Sequence, residues 1–259
     1  MTDSTARVRD TPRTRPAKAP LSRDAVVAAA LQLVDEVGYT AVTMRRVAQA
    51  LDTGPASLYV YVADRDELMA EVYDLALAGI HLPGPADGDW RARLELLISR
   101  AITTLAGHDD IALVAIARVP TGRQSLRILE ATMTLLRAGG IDDSLCPWAA
   151  DLIDQYVISS ALELAARLRD QRALTAAEGA AGATEEAMSA AAGAELDAVY
   201  GELPADTYPT IHALRPVMTT AGRDSHAYAD WKLSVIIDGL LRHRRPRRDR
   251  PGPRGRDEG

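Results

Sequence analysis

Cysteine is almost missing from this 259-residue chain, and Cys146 is its only one. Intramolecular disulfides and cysteine-rich zinc sites are thereby excluded, and a reducing, cytoplasmic compartment fits. Cys146 itself reads as a small buried hydrophobe. No apolar run reaches the roughly 18 residues needed to span a bilayer, so no membrane partner is expected. The N-terminus is basic and proline-rich but lacks an apolar stretch, so it is not a secretory signal. Common catalytic signatures are also missing: there is no P-loop, no G-x-S-x-G, no H-E-x-x-H and no Cys/His cluster. The five histidines, at 81, 108, 212, 226 and 243, show no metal-ligand pairing. Asp109-Asp110 and Asp142-Asp143 fall in turns and read as helix starts. No metal, no cofactor and no enzymatic activity is expected, a helical enzyme with dispersed catalytic residues being the competing reading. Sustained strand-like alternation is lacking too, which leaves an all-α fold.

Positive charge is scarce overall, with a net charge of −6, but it is unevenly placed. Residues 1–20 carry Arg7, Arg9, Arg13, Arg15 and Lys18 against two acids, a net +3. Residues 242–259 carry eight arginines against three acids, a net +5, which leaves −14 for the body. An acidic body between two basic ends suggests a polyanionic partner, although solubilising tails would have the same composition. Three prolines and little apolar material make residues 1–20 a disordered basic arm, and 242–259 reads as a disordered Arg-rich tail.

Between these ends the pattern is helical. Ser22 is placed to cap a helix running to about Val37, with Val27, Ala30, Leu31, Val34 and Val37 on its buried face and Gly38 closing it. Thr43 caps a second helix, whose inward positions are Met44, Val47, Ala48 and Leu51. Gly54 precedes a third and very short helix, with Pro55 in the first position, where its missing N–H costs nothing. Asp64 with Glu67 three residues on has the form of a capping box for a fourth helix reaching about His81. That helix is apolar on two sides, Leu68, Val72, Leu75 and Gly79 on one and Met69, Tyr73, Ala76 and Ile80 on the other, as expected of a linker touching two bodies. "LPGPADGD" (82–89) breaks the pattern. Further helices are expected near 90–106, 109–118, 123–138, 147–169, 208–220 and 227–241. The Ala- and Glu-rich stretch 174–203 allows either a surface helix or a mobile loop. Trp90 and Trp148 read as packing anchors.

The short third helix is the informative element. Ala56 and Ser57 give it a small front that lets the backbone approach a phosphate chain, while Leu58 and Val62, four apart, give it a packing rear. Tyr59 and Tyr61 project sideways, Val60 suits a thymine methyl, and Arg45, Arg46 and Arg65 can reach backbone or base edges. Ser22…Gly38-Tyr39, "TMRRVAQAL" and "PASLYVYVADRDEL" together resemble the N-terminal domain of TetR-family transcriptional repressors. Tyr61 stands where that family usually has His. Residues 21–70 carry four arginines against seven acids, a net −3, so the arm is expected to supply the phosphate-neutralising charge that the domain lacks.

The resemblance implies an N-terminal three-helix helix-turn-helix DNA-binding domain (21–70) joined by a linking helix to a larger helical ligand-binding and dimerisation domain (71–241). "PADGDW", "RVPTGRQS" and "ADWKLSVIIDGLL" extend it into the tetracycline-repressor-like C-terminal subgroup. It implies a homodimer that binds a palindromic double-stranded DNA operator and is released by a small hydrophobic molecule. The DNA-contacting residues it implies are Thr43, Arg45, Arg46, Pro55, Ala56, Ser57, Tyr59, Val60, Tyr61 and Arg65, with the arm residues Arg7, Arg9, Arg13, Arg15 and Lys18. His81, His108 and Arg118 are candidate effector contacts, each equally readable as a surface or core residue. Leu152, Tyr156, Ser159 and Trp231 are candidates for the dimer face or the core. The alternative is an architectural DNA-binding protein without an effector, whose C-terminal region would be packed solid.

Overall fold

A computed structural model describes residues 20–117, 121–178, 185–219 and 225–243. Among them there are helices and turns and no strand. The N-terminal unit comprises α1 (Arg23–Val37), α2 (Met44–Ala50), α3 (Pro55–Leu58) and α4 (Arg65–Ala76). The larger unit comprises α5 (Trp90–Ala106), α6 (Leu113–Ala117), α7 (Arg123–Ala138), α8 (Cys146–Glu178), α9 (Glu185–Gly201), α10 (Pro209–Met218) and α11 (Ser225–Arg242). No helix among the described residues is long and apolar enough to cross a membrane.

The helix starts follow from their capping side chains. Ser22 Oγ accepts from Ala25 N at 3.1 Å, and Thr43 Oγ1 accepts from Arg46 N at 3.2 Å. Asp64 Oδ1 accepts from Glu67 N at 2.8 Å, but Glu67 reaches one residue beyond the expected box, to Ala63 N at 2.5 Å. Gly38 ends α1 at φ +84°, a conformation that favours glycine. Pro55 occupies the first turn of α3 as expected.

The N-terminal core is drawn from one face of each helix: Val26, Ala30 and Val34 of α1, Val47 of α2, Leu58 and Val62 around α3, and Leu68 and Val72 of α4 are buried. The two-sided reading of α4 holds for Leu68, Val72, Met69, Tyr73 and Ala76, which are all buried, whereas Leu75 is exposed. Val37, expected inside, is also exposed. The linking helix is shorter than expected, because α4 stops at Ala76 and tightens into a 3-10 turn over Leu77–Gly79. In the larger unit α5, α7 and α8 pack on one another, and α11 lies across α8 and α5. The expected 109–118 helix is split into a 3-10 turn, Asp109–Ala112, followed by α6. The 147–169 helix extends from Cys146 to Glu178, and α9 covers much of the remaining Ala-rich stretch. Trp90 packs against Gly139, where a Cβ would lie 2.8 Å from its ring. Trp148 does not anchor the core and is 74 % exposed.

Candidate functional site

The first site is the outer surface of α2 and α3. Thr43, Arg45, Pro55 and Ala56 are exposed and Ser57 is half-buried. Tyr59 is 54 % and Val60 80 % exposed. Behind them Leu58 and Val62 anchor the helix in the core. α3 is a single α-helical turn, and the chain continues through Tyr61 N and Val62 N bonded to Leu58 O at 2.9 and 3.1 Å. A rigid rear and an open front present the side chains between as one surface.

The other expected contacts are held within the chain. The Tyr61 hydroxyl donates to Leu21 O at 2.7 Å and ties α3 to the start of α1. Arg65 donates to Val42 O at 2.8 Å and Tyr39 O at 2.9 Å, and its guanidinium stacks 4.9 Å from the Tyr39 ring. Arg46 donates to Ala41 O at 3.0 Å. Arg65 and Arg46 brace the turn preceding α2; Arg45 and Arg46 are both exposed, and Arg46 is the one of the pair tied to that turn. Arg7, Arg9, Arg13, Arg15 and Lys18 lie outside the described residues, as does Arg118.

The second site is a half-open cavity of about 490 Å³ bordered by α4, α5, α6, α7 and α8. Leu97, Ile98, Ala101, Leu105, Ile128, Met133, Ile153 and Val157 make most of its wall. Polar groups enter at a few points: Tyr73 from α4, Ser125 and Thr132 from α7, and Asp151 and Asp154 from α8. An apolar enclosure of this size with sparse polar groups is the usual form of a small-molecule site. Burial, with a smaller contribution from Asp154 and Asp74, pushes the Tyr73 phenol well above its ordinary range. Burial and then the charge of Asp151 raise the Asp154 carboxyl.

His81 and His108 do not line this cavity. His81 is exposed, with its Nδ1 3.1 Å from Gly79 O. His108 sits between the units, its Nδ1 2.8 Å from Asp35 Oδ1. Tyr73, Thr132 and Asp154 do not stand out in the sequence as polar site residues. A signal for Asp154 does exist, because Pro147, Ala150, Asp151, Asp154 and Val157 recur at helical spacing and form one stripe of α8.

Two polar links join the sites. Asp74 of α4 accepts from Gln124 N and Ser125 N, at 3.0 and 2.9 Å, and so caps α7 in place of Gly122, which has no side chain to do so. Asp109, at φ +49°, accepts from Tyr39 N at 3.2 Å and pairs with Arg169 of α8 at 2.5 Å. Burial raises the Asp109 carboxyl, and Arg169 with the N–H groups of Asp110 and Tyr39 more than offsets it, leaving the group below its ordinary range. Tyr39 O in turn accepts from Arg65, so hydrogen bonds run from α8 to the turn that positions α2.

Of the dimer candidates, Leu152 and Trp231 are exposed. Tyr156 is buried and donates to Ala229 O at 3.2 Å, locking α8 to α11. Ser159 is exposed, its hydroxyl donating to Tyr156 O at 3.1 Å.

Comparison with known proteins agrees with this geometry. Residues 26–72 match the family described as bacterial regulatory proteins, tetR family, and residues 82–244 match the tetracycline repressor-like C-terminal domain. The HTH-type transcriptional repressor DrrR1 of Streptomyces coeruleorubidus is 33% identical over 234 residues, 87% of this chain and 80% of DrrR1. The crystal structure of the TetR family protein ActR of Streptomyces coelicolor with (S)-DNPA is 34% identical with a TM-score of 0.70, covering 86% of this chain and 98% of ActR. ActR in complex with actinorhodin gives 34% and 0.69, covering 86% and 96%. The chain belongs to the TetR family of bacterial transcriptional regulators, and it is a DNA-binding repressor.

Proposed function

We propose that this repressor binds a two-fold symmetric operator as a homodimer and releases it when a small, largely apolar molecule fills the 490 Å³ cavity. The observation that carries the effector reading is the position of Tyr73. It belongs to α4, the last helix of the DNA-binding unit, and it also forms part of the cavity wall. A molecule in the cavity therefore touches the element that sets the orientation of α2 and α3. Next to the cavity, and sharing Tyr73 and Ser125 with it, an open groove of about 910 Å³ runs along α4. An architectural protein without an effector would have no use for such a cavity. ActR, of similar fold, has been crystallised with small molecules.

Arg45, Pro55, Ala56, Tyr59 and Val60 form the groove-facing surface in this reading. The dimer face combines Trp148 and Leu152 of α8 with Tyr228, Trp231 and Val235 of α11, all large, apolar and exposed in the single chain. Contiguous apolar exposure of this kind marks an interaction surface. Two recognition helices must lie about 34–36 Å apart to enter successive major grooves, and an effector favouring another separation depopulates the bound state. Turning nearly all bound into nearly all free takes a preference of roughly 10⁴-fold, about 5.5 kcal/mol.

The test is selection of sheared genomic DNA by the purified protein, followed by sequencing, with the oligomeric state measured by sedimentation. Enrichment of a few pseudo-palindromes by a dimer supports the reading. A folded monomer, or a dimer that enriches no symmetric site, overturns it.

A further inference from the structure

We propose that the effector of this protein is an organic cation: an apolar, drug-sized molecule carrying an amine or ammonium group that pairs with Asp154. The inference rests on the cavity being the effector site, and it names the chemistry that the site accepts.

Three observations carry it. The lining is charged with one sign only. Asp151 and Asp154 both border the cavity, and no Lys, Arg or His among the described residues does. Next, the charge is uncommitted where it matters. Asp151 accepts from Gln155 Nε2 at 2.7 Å, whereas Asp154, one turn further along α8, has no ion pair or hydrogen bond among the described residues. Asp154 is exposed at the rim of the cavity, and partial burial together with the charge of Asp151 holds its carboxyl above the usual range. A cation seated against the apolar wall of the cavity would lie beside this carboxylate and be favoured by its charge.

The last observation is independent of the acids. Tyr73 is only 4 % and Thr132 only 7 % exposed, both line the cavity, and neither side-chain hydroxyl has a hydrogen-bond partner among the described residues. Neither hydroxyl oxygen is sealed off, so both open onto the cavity, where a bound molecule can supply the partner. Tyr73 lies near enough to Asp154 for the carboxylate charge to act on its phenol. An ammonium group with several N–H donors can bond Asp154 and the phenol oxygen together, while the ring system fills the space between Leu97, Ile98 and Met133. A carboxylated or sulfonated ligand would instead meet Asp154 and Asp151 with like charge.

The experiment uses the full-length protein and three probes that share one ring system. They are 9-aminoacridine, a cation at neutral pH, acridine, neutral there, and acridine-9-carboxylate, an anion. Affinities are measured by fluorescence titration for the wild type, Asp154→Asn and the cavity-filling Met133→Trp, with circular dichroism confirming the fold of each. The wild type is expected to bind 9-aminoacridine roughly tenfold more tightly than acridine, as one charge-assisted contact gives, with the carboxylate weakest. Asp154→Asn is expected to remove that preference and leave acridine binding unchanged. Equal binding of the three probes, lost in Met133→Trp, would overturn the cation while leaving the cavity as the effector site. A cation preference that survives Asp154→Asn would overturn the assignment to Asp154. No binding at all, or binding indifferent to Met133→Trp, would overturn both readings.

Discussion

Asp74 and Ser125 are joined twice: one Asp74 carboxylate oxygen accepts from the Ser125 backbone N–H and from its hydroxyl, each at 2.9 Å. The pair spans the boundary between the units, because Asp74 belongs to α4 and Ser125 opens α7. Ser125 also borders the cavity. Gly122 is required beside it, since a Cβ at that position would collide with the Asp74 carboxylate. A helix start in the larger unit is thus capped by a residue of the last helix of the N-terminal unit.

Asp74→Ala removes that cap. Loss of a cap costs about 1 kcal/mol, and urea unfolding is expected to show a decrease of that order. Asp74→Asn, which keeps an acceptor oxygen but loses the charge, should fall between the two. An alanine variant as stable as the wild type would show that the α7 terminus finds another partner.

Arg65→Ala and Arg45→Ala are expected to fail differently. Arg65 makes two charge-assisted bonds to carbonyls inside the chain, so its loss should lower stability by about 2 kcal/mol. Arg45 is exposed, so Arg45→Ala should unfold like the wild type yet bind operator more weakly, with a log–log salt slope shallower by about 1. Parallel urea and anisotropy titrations separate the two, and equal stability losses would contradict the assignment.

Val60 and Tyr59 offer a cleaner test of the groove-facing surface. Tyr59→Ala and Val60→Ser should leave stability within about 0.5 kcal/mol, as exposed substitutions do. Each should weaken operator binding by roughly 1 kcal/mol, about fivefold. Unchanged affinity in both would place the DNA elsewhere.

Asp109 predicts an acid limb to stability. Its carboxyl lies below its ordinary range when folded, so its contribution is complete above the unfolded value of about 3.9 and is lost as pH falls through the folded value. The urea midpoint of the wild type should exceed that of Asp109→Asn at pH 7, and the gap should close at acid pH. In Arg169→Ala, which lacks the pairing cation, the depression shrinks, so the Asp109 contribution at pH 7 and its loss in acid should both be smaller.

Residues 1–20 carry five basic side chains, and their deletion should lower operator affinity and flatten its salt dependence, by up to about 4 in log–log slope if all five meet phosphates. An unchanged slope would leave the arm without a part in binding.

The local elements are legible in the chain itself. Ser22, Thr43, Asp64 and Gly38 mark helix ends by chemistry that acts within a few residues, and Leu58 and Val62 declare a buried rear through their spacing alone. Side-chain direction is less legible. Tyr61 and Arg65 look like groove contacts in one dimension, yet the carbonyls that hold them, Leu21 O, Val42 O and Tyr39 O, come from other segments. The cavity is legible only as one stripe of α8, Pro147, Ala150, Asp151, Asp154 and Val157, with nothing to say what it faces. Tyr73 reads as one apolar position among several, and Asp154 as one acid on a long mixed helix.

The sequence by itself therefore determined most of the helices, their caps and the exposed front of α3, since periodicity and capping are local properties of the chain. Only the tertiary structure decided which polar groups face inward together. The Tyr73, Thr132 and Asp154 cavity, the Asp74 cap on α7 and the Arg169–Asp109–Tyr39 link each join residues far apart along the chain. Such contacts depend on how α4, α7 and α8 cross, and that geometry is set by packing rather than by any one segment.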